Sequence, residues 1–290
     1  MTQLIQTIVL GLLLGGVYAL LASGLTLIFG VMDVINVAQG ALIILAAFMT
    51  WAAWNEIGLD PLLGAVVMTP AMFLIGYGIY IITIRWIQGK PPSTSVILTF
   101  GLALIIEGVM GFVWTATLHR ATPEYFNQSF TIGDIYLRKA QVYGCAIAIG
   151  VLAILYVILR VTWLGRAIRA VSANMSSARL VGVNPSTVAA LTFAIGVATT
   201  GAGGAIAAVL YPFLPGSHYA WISRLLGIIV LGGMGSLPGA FIAALIMGVA
   251  ESLAAVTMTS YISPIVFYLI LFLTLIFRPQ GLMGTVIRKG

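Results

Sequence analysis

Residues 162–188 read TWLGRAIRAVSANMSSARLVGVNPSTV. This is a long polar interruption in a chain that is otherwise almost wholly apolar, and it carries Arg166, Arg169 and Arg179 with no acidic residue. Ile168, Val171, Met175 and Ala178 fall at i, i+3, i+7 and i+10, one face of a helix, with the arginines elsewhere around it. Gly182 stops that helix. Asn184-Pro185-Ser186 is a good start for the next, with Asn as N-cap and Pro in the first turn. The expectation is a short amphipathic helix over residues 166–182, parallel to a membrane surface. Such a helix either rests on lipid headgroups or docks into a partner on the water side. The segment is longer than a turn between two spans requires.

The rest of the composition sets the class. The 290 residues are 61% hydrophobic and 7% charged, with a mean hydropathy of +1.14. A soluble globular domain carries about 25% charged residues, so no soluble fold hides this much apolar surface. The fold class is an all-α polytopic membrane protein, one transmembrane domain over residues 1–290 with its polar loop at about 161–187. Continuous apolar runs are too long for the alternating strands, about 10 residues each, of a β-barrel. The first run, residues 5–29, has no basic start and leads into further spans, so it reads as mature structure and not as a signal peptide. The net charge of +6 fits the positive-inside rule, and no nucleic-acid partner is expected. A single cysteine, Cys145, excludes an internal disulfide and any multi-cysteine metal site. His119 and His218 fall in stretches expected outside the bilayer and are read as solvated. Neither a metal nor a cofactor is expected.

A helix needs about 20 apolar residues to cross the hydrocarbon. Spans are expected at 5–29, 38–54, 61–84, 96–114, 142–159, 188–210 and 262–277. Residues 221–256 form two further pieces, 221–231 and 240–256, around Gly232-Gly233-Met234-Gly235-Ser236-Leu237-Pro238-Gly239, because Gly and Pro together do not continue a helix. This gives eight or nine passes and two glycine-rich breaks. The second break echoes the first, at residues 30–41 (GVMDVINVAQGA). Matched breaks in two halves point to a transport path. Arg85 and Lys90, the loop arginines with Arg160, and Arg278, Arg288 and Lys289 fall on one face, expected to be cytoplasmic. Glu56, Asp60, Glu124 and Asp134 fall on the other, with Arg120, Arg138 and Lys139. The N-terminus is then outside and the C-terminus cytoplasmic.

Catalytic patterns are absent from the sequence: no Walker-type lysine loop, since Gly89-Lys90 runs into Pro91-Pro92, no His-Glu-x-x-His and no Gly-x-Ser-x-Gly. The chain is not expected to be an enzyme, and energy from ATP must come from another chain. Intramembrane acids are candidate functional positions. Asp33 reads as a helix-end cap and Glu107 as a structural hydrogen bond to a neighbouring helix. Glu251 follows the second break by about three turns, with Arg224 placed to face it. Gly11, Gly15, Gly16, Gly196, Gly201, Gly203 and Gly204 read as helix-packing positions. The group from 201 to 204 has a path-lining role as its alternative. The pathway candidates are Asn36, Gln39, Gly40, Gly232, Gly233, Gly235, Ser236 and Glu251. Amide and hydroxyl groups at a break bind a polar, zwitterionic solute without full charge.

Three stretches together resemble a known family. Gly16-Val17-Tyr18-Ala19-Leu20, Gly24 to Met32 (GLTLIFGVM) and Ile35 to Gly40 (INVAQG) look like the opening of branched-chain amino-acid ABC-importer permeases of the LivH type. Arg166 to Ala170, through Gly182-Val183, resembles that family's coupling loop, and the second break resembles its late glycine motif. The likeness runs over the whole chain. It implies a permease subunit in a bacterial inner membrane, with a second LivM-type permease, two cytoplasmic ATPase subunits and an extracytoplasmic solute-binding protein as partners. It also implies Arg166, Arg169, Ala170, Asn174, Met175 and Gly182 as ATPase-coupling residues. Arg169 would meet a carboxylate or a helix C-terminus, and Ile168, Val171 and Met175 would fill an apolar cleft. Val37, Gln39 and Ala41 depart from the family's frequent Phe, His and Glu, which leaves urea, short amides and aromatic acids beside branched-chain amino acids as solutes. Residues 174–177 (NMSS) depart from a loop where an acidic residue is common. An ion-coupled secondary transporter is the alternative, and it would need intramembrane ionisable pairs.

Overall fold

The structure is a computed structural model that describes residues 2–257, 263–278 and 280–284. Helices run α1 (Thr2–Met32), α2 (Gln39–Ile57), α3 (Pro61–Ile82), α4 (Pro92–Trp114), α5 (Lys139–Val161), α6 (Trp163–Ala173), α7 (Met175–Leu180), α8 (Pro185–Leu210), α9 (His218–Gly232), α10 (Leu237–Thr257) and α11 (Ser263–Phe277). Among the described residues, seven are long and apolar enough to cross a membrane: α1, α2, α3 with its 3₁₀ extension to Trp86, α4, α5, α8 and α10. α9 and α11 have 15 residues each, short of the about 20 needed for a perpendicular crossing. The helical, multi-span class stands. The expected eight or nine passes resolve here into seven full-length helices and two shorter ones. Ile262, Arg288 and Lys289 lie outside the described residues.

Contacts between elements sort the charges into two ends. Tyr80, late in α3, donates to Ser186 O at the start of α8 (3.1 Å), and Ser172 of α6 donates to Gly30 O of α1 (2.8 Å). Arg85, Lys90 and the loop arginines therefore share one end. At the other end, Tyr125 OH donates to Asp60 Oδ1 (3.2 Å), and Gln6 Nε2, near the start of α1, donates to Tyr136 O (3.1 Å). Burial and the Asp60 carboxylate raise the Tyr125 phenol well above its ordinary pKa, so it holds this contact as a donor. Asp60 also caps α3 by accepting from Leu62 and Leu63 N–H.

The end that holds Tyr125 also carries a β-hairpin. β1 (Ser129–Ile132) and β2 (Ile135–Arg138) pair antiparallel, Phe130 opposite Leu137. Gly133-Asp134 makes the two-residue turn, with Gly133 at φ 61°. Glycine with positive φ between two β-branched and aromatic runs is the hairpin signal. It is easily overlooked in a chain dominated by long apolar helices.

α8 is the central helix. It packs on α1, α2, α3 and α5 and is buried over nearly its whole length. Its small residues let backbones meet: a Cβ on Gly24 of α1 would lie 2.2 Å from Gly196 O, and one on Gly201 would lie 2.4 Å from Met68 O of α3. Between apolar helices in lipid, close backbone approach is the main source of contact energy. The group from 201 to 204 is therefore packed against neighbouring helices.

The first break is residues 33–38. Asp33 closes α1 in the left-handed region (φ 52°), and its N–H bonds Phe29 O at 2.9 Å. Asp33 thus ends the helix, as its reading as a cap anticipated. The next residues carry non-helical backbone, with Val34, Asn36 and Ala38 buried. Hydroxyls of α4 supply partners that no strand provides. Ile35 N–H donates to Ser95 Oγ (3.2 Å) and Val37 N–H to Thr99 Oγ1 (3.0 Å). Thr99 Oγ1 also lies 3.0 Å from Ile35 O and 2.7 Å from Ser95 O, its single proton serving one of them. Without these hydroxyls the buried amides have no water to turn to.

Replacing Thr99 by Val keeps the shape and removes the acceptor. Leaving a buried N–H unpaired costs about 1–3 kcal/mol. Thr99→Val is therefore expected to lower the midpoint of thermal unfolding in detergent, and Thr99→Ser to restore it. Equal midpoints for Thr99→Val and the parent would show that the hydroxyl does not hold the break.

Candidate functional site

Around the first break the side-chain amides form a buried chain. Asn36 Nδ2 donates to Gln39 Oε1 (2.9 Å), and Gln39 Nε2 donates to Gly196 O of α8 (2.9 Å). Both residues are fully buried, and Asn36 Oδ1 has no partner among the described residues. A Cβ on Gly40 would lie 2.5 Å from His218 O, so glycine there lets α2 start against the head of α9. The trio Asn36, Gln39 and Gly40 thus ties the break to α8 and α9 and does not stand open to solvent. Beside it lies an apolar cavity of about 340 Å³ lined by Leu25, Phe29, Ile35, Val37, Leu226 and Met234, among others.

The second break is a tight turn between α9 and α10. Gly233 (φ 99°) and Gly235 (φ 82°) take conformations that favour glycine. Gly232 and Gly233 are buried. The chain after α11 closes over them: Leu282 N–H donates to Leu231 O (2.7 Å) and Met283 N–H to Gly232 O (3.0 Å). Ser236 Oγ accepts from Gly239 N–H (3.2 Å), capping α10. Gly235 rests on the last turn of α1, which leads into the first break, since a Cβ there would lie 3.2 Å from Gly30 Cα. The two interruptions are joined through the end of α1 but differ in form, one a buried extended stretch, the other a glycine turn. The end of α1 and the second break, together with α5 and α6, border a cavity of about 620 Å³, whose lining includes Gly30, Arg160, Ile168, Arg169, Gly235 and Pro238.

Two of the three intramembrane acids, Glu251 and Glu107, are paired. Glu251 Oε2 accepts from Tyr18 OH (2.7 Å) and Oε1 from Arg224 Nη2 (3.2 Å). Arg224 does face Glu251, across α9 and α10. Glu107 of α4 accepts from Tyr219 OH (3.1 Å) and lies 3.0 Å from His218 Nε2, the interhelical hydrogen bond read for it. The expectation of solvated histidines is corrected. His218 is 1% exposed, and the His119 ring packs 4.3 Å from that of Trp51 and 5.3 Å from that of Phe48. Each heads a stretch that folds back onto the helices, which loop-like polarity does not reveal. Among the described residues, no group of three His, Cys, Asp or Glu is placed to hold a metal.

The polar loop is two helices, not one. Asn174 (φ −160°, ψ 110°) ends α6 and caps α7, its Oδ1 accepting from Ser177 N–H at 2.9 Å. An Asn side chain competes with helical hydrogen bonds, so it makes a corner where apolar spacing alone suggests continuity. Ile168, Val171 and Ala178 share a face as expected, but that face is buried on the chain's own helices with Val188. Ile168 and Val171 are therefore unavailable to a partner's cleft. Arg166 Nη1 donates to Val161 O (3.0 Å), and Arg169 Nη1 donates to Leu159 O. The helix C-terminus that Arg169 meets is that of α5 in the same chain. Ala170 is half-buried, and Met175 is exposed. Gly182 (φ 81°) ends α7 as expected, and Asn184 caps α8 through Ser186 and Thr187 N–H. The outward apolar surface is Trp163, Met175, Leu180 and Val181. Apart from Met175 these escaped the sequence reading, because they lie off the helical stripe. Tyr18, Ser95 and Thr99 escaped it because a hydroxyl inside a span carries no pattern.

The comparisons with known proteins agree with this architecture. The family described as branched-chain amino acid transport system / permease component matches residues 7–277. The chain is 30% identical to the high-affinity branched-chain amino acid transport system permease protein BraD of Pseudomonas aeruginosa, over 97% of this chain and 95% of that one. It is 29% identical to the corresponding protein LivH of Escherichia coli K12, over 94% and 93%. A probable LivH of Methanocaldococcus jannaschii is 24% identical over 91% and 88%. No solved structure matches. The chain belongs to the permease-component family of branched-chain amino acid transport systems.

Proposed function

We propose that this chain is the transmembrane permease of an ABC importer for branched-chain amino acids or related small polar solutes. It resides in a bacterial inner membrane, N-terminus outside and C-terminus cytoplasmic. It pairs with a second permease of the LivM type, takes solute from an extracytoplasmic binding protein and is driven by two cytoplasmic ATPase subunits. The observation that carries the reading is mechanical. α6 is fastened to α5 by the two arginine bonds and to α1 by the Ser172–Gly30 bond, and Gly30 touches the second break at Gly235. A push on α6–α7 thus reaches the second interruption, and the end of α1 that leads into the first, through packed contacts.

On this reading Trp163, Met175, Leu180 and Val181 form the contact with the ATPase, beside Asn174 and Gly182 that shape it. Arg166, Arg169 and Ala170 transmit the push inward. The first break with Asn36, Gln39 and Gly40, and the second with Gly232, Gly233, Gly235 and Ser236, are the elements that shift when the path opens. A small mixed contact suits a joint that must engage and release every cycle. The direct test is uptake of L-leucine by the complete importer in proteoliposomes with ATP inside. No uptake of leucine, isoleucine or valine would remove the assigned substrate class.

Leu180→Asp combined with Val181→Asp is expected to leave the permease inserted and to weaken co-purification of the ATPase at least about tenfold. If the loop only rests on lipid, the ATPase co-purifies unchanged. The orientation has its own check. In a Cys145→Ala background, cysteines at 85 and 169 are expected to resist an impermeant thiol reagent added to intact cells, and cysteines at 60 and 124 to react. Labelling at 169 from outside would reverse the assignment.

A further inference from the structure

Among the described residues the helices hold two ion pairs, Glu107–His218 and Arg224–Glu251. The second is unusual in its place and its exposure. Tyr18, which holds Glu251 Oε2, lies near the middle of the 31-residue α1. That puts the carboxylate deep within the span. Yet the Arg224 and Glu251 side chains keep 24% and 13% of their surface exposed. Ionised groups at that depth do not face hydrocarbon; they face a polar route or another subunit. The wall beside them is aromatic. Trp221 stands edge-on to Tyr18 (6.3 Å) and to Tyr211 (5.4 Å), and the Arg224 guanidinium is 5.9 Å from the Trp221 ring.

We propose that Arg224 and Glu251 receive the charged head of the transported α-amino acid, a reading that rests on the importer function proposed above. The pair is neutral as a unit and so is a zwitterion. The substrate ammonium takes the place of Arg224 at Glu251 Oε1, and the substrate carboxylate takes the released guanidinium N–H groups. Partners are exchanged and no net charge is buried. The site thus binds briefly and lets go, as a permeation path requires. Tyr18 stays on Glu251 Oε2 and fixes the carboxylate while Oε1 changes partner. The aromatic wall of Trp221 and Tyr211 meets the aliphatic side chain. A solute lacking either charge leaves one member of the pair unmatched.

The double variant Arg224→Gln with Glu251→Gln removes both charges and keeps two groups able to hydrogen-bond each other. The complete importer carrying it is expected to assemble and to keep ATPase stimulation by the loaded binding protein, while L-leucine uptake falls at least about tenfold. Uptake within about twofold of the parent would overturn the proposal. No uptake by the parent itself would instead remove the importer reading on which it rests. A second measurement does not depend on the variant folding. Ala220 is exposed and one turn before Arg224 on α9. With Ala220→Cys in a Cys145→Ala background and the pair intact, L-leucine is expected to slow thiol labelling at 220. Leucinamide and 4-methylpentanoate, each missing one charge, are not. Equal protection by all three, or by none, would also overturn it.

Discussion

Backbone that leaves the helix inside a membrane must find its hydrogen bonds in protein, and this constraint organises the molecule. The stretch after α1 has no strand to pair with. It borrows Ser95 and Thr99 from α4 for its amides. Gln39 then spans the gap to the Gly196 carbonyl, which also accepts from Thr199 Oγ1 and which Gln39 can reach because α1 and α8 meet there through glycines. α4 and α8 thus converge on the stretch from Ile35 to Gln39. The glycines of α8 bring the carbonyl close, and the hydroxyls of α4 hold the strand-like backbone. Neither works without the other.

The second interruption solves the same problem by shortness. Its glycines turn within a few residues, and the segment after α11 covers the carbonyls of Leu231 and Gly232. The first break is held by side chains reaching across from other helices, the second by backbone bonds and its own Ser236 cap. A shift of the first requires side chains to trade partners, whereas a shift of the second requires the terminal segment to lift.

Long-period features were legible in the sequence. Apolar runs located nearly every helix, Gly and Pro marked both interruptions, and Asn184-Pro185 marked the start of α8. Arg224 opposite Glu251 followed from spacing and charge. What escaped depends on contacts between distant residues. The apolar stripe through Ile168 and Val171 identified a buried face but not what buries it, and the chain's own helices do so. Asn174 was passed over because a corner and a mid-helix polar residue look alike on an amphipathic pattern. His218 read as solvated because a loop that folds back has the same composition as one that does not. The hairpin at residues 129–138 was short and lay among much stronger signals.

The contact between Gly30 and Gly235 has an evolutionary consequence. A methyl group on Gly235 would press on the backbone of residue 30, and one on Gly30 would lie 3.1 Å from Gly235 O. The two positions, more than 200 residues apart in sequence, therefore behave under mutation as one. A descendant that enlarges either must shift the backbone at the other to make room. The record of such changes across related chains would be correlated substitution, a hinge whose two halves diverge only in step.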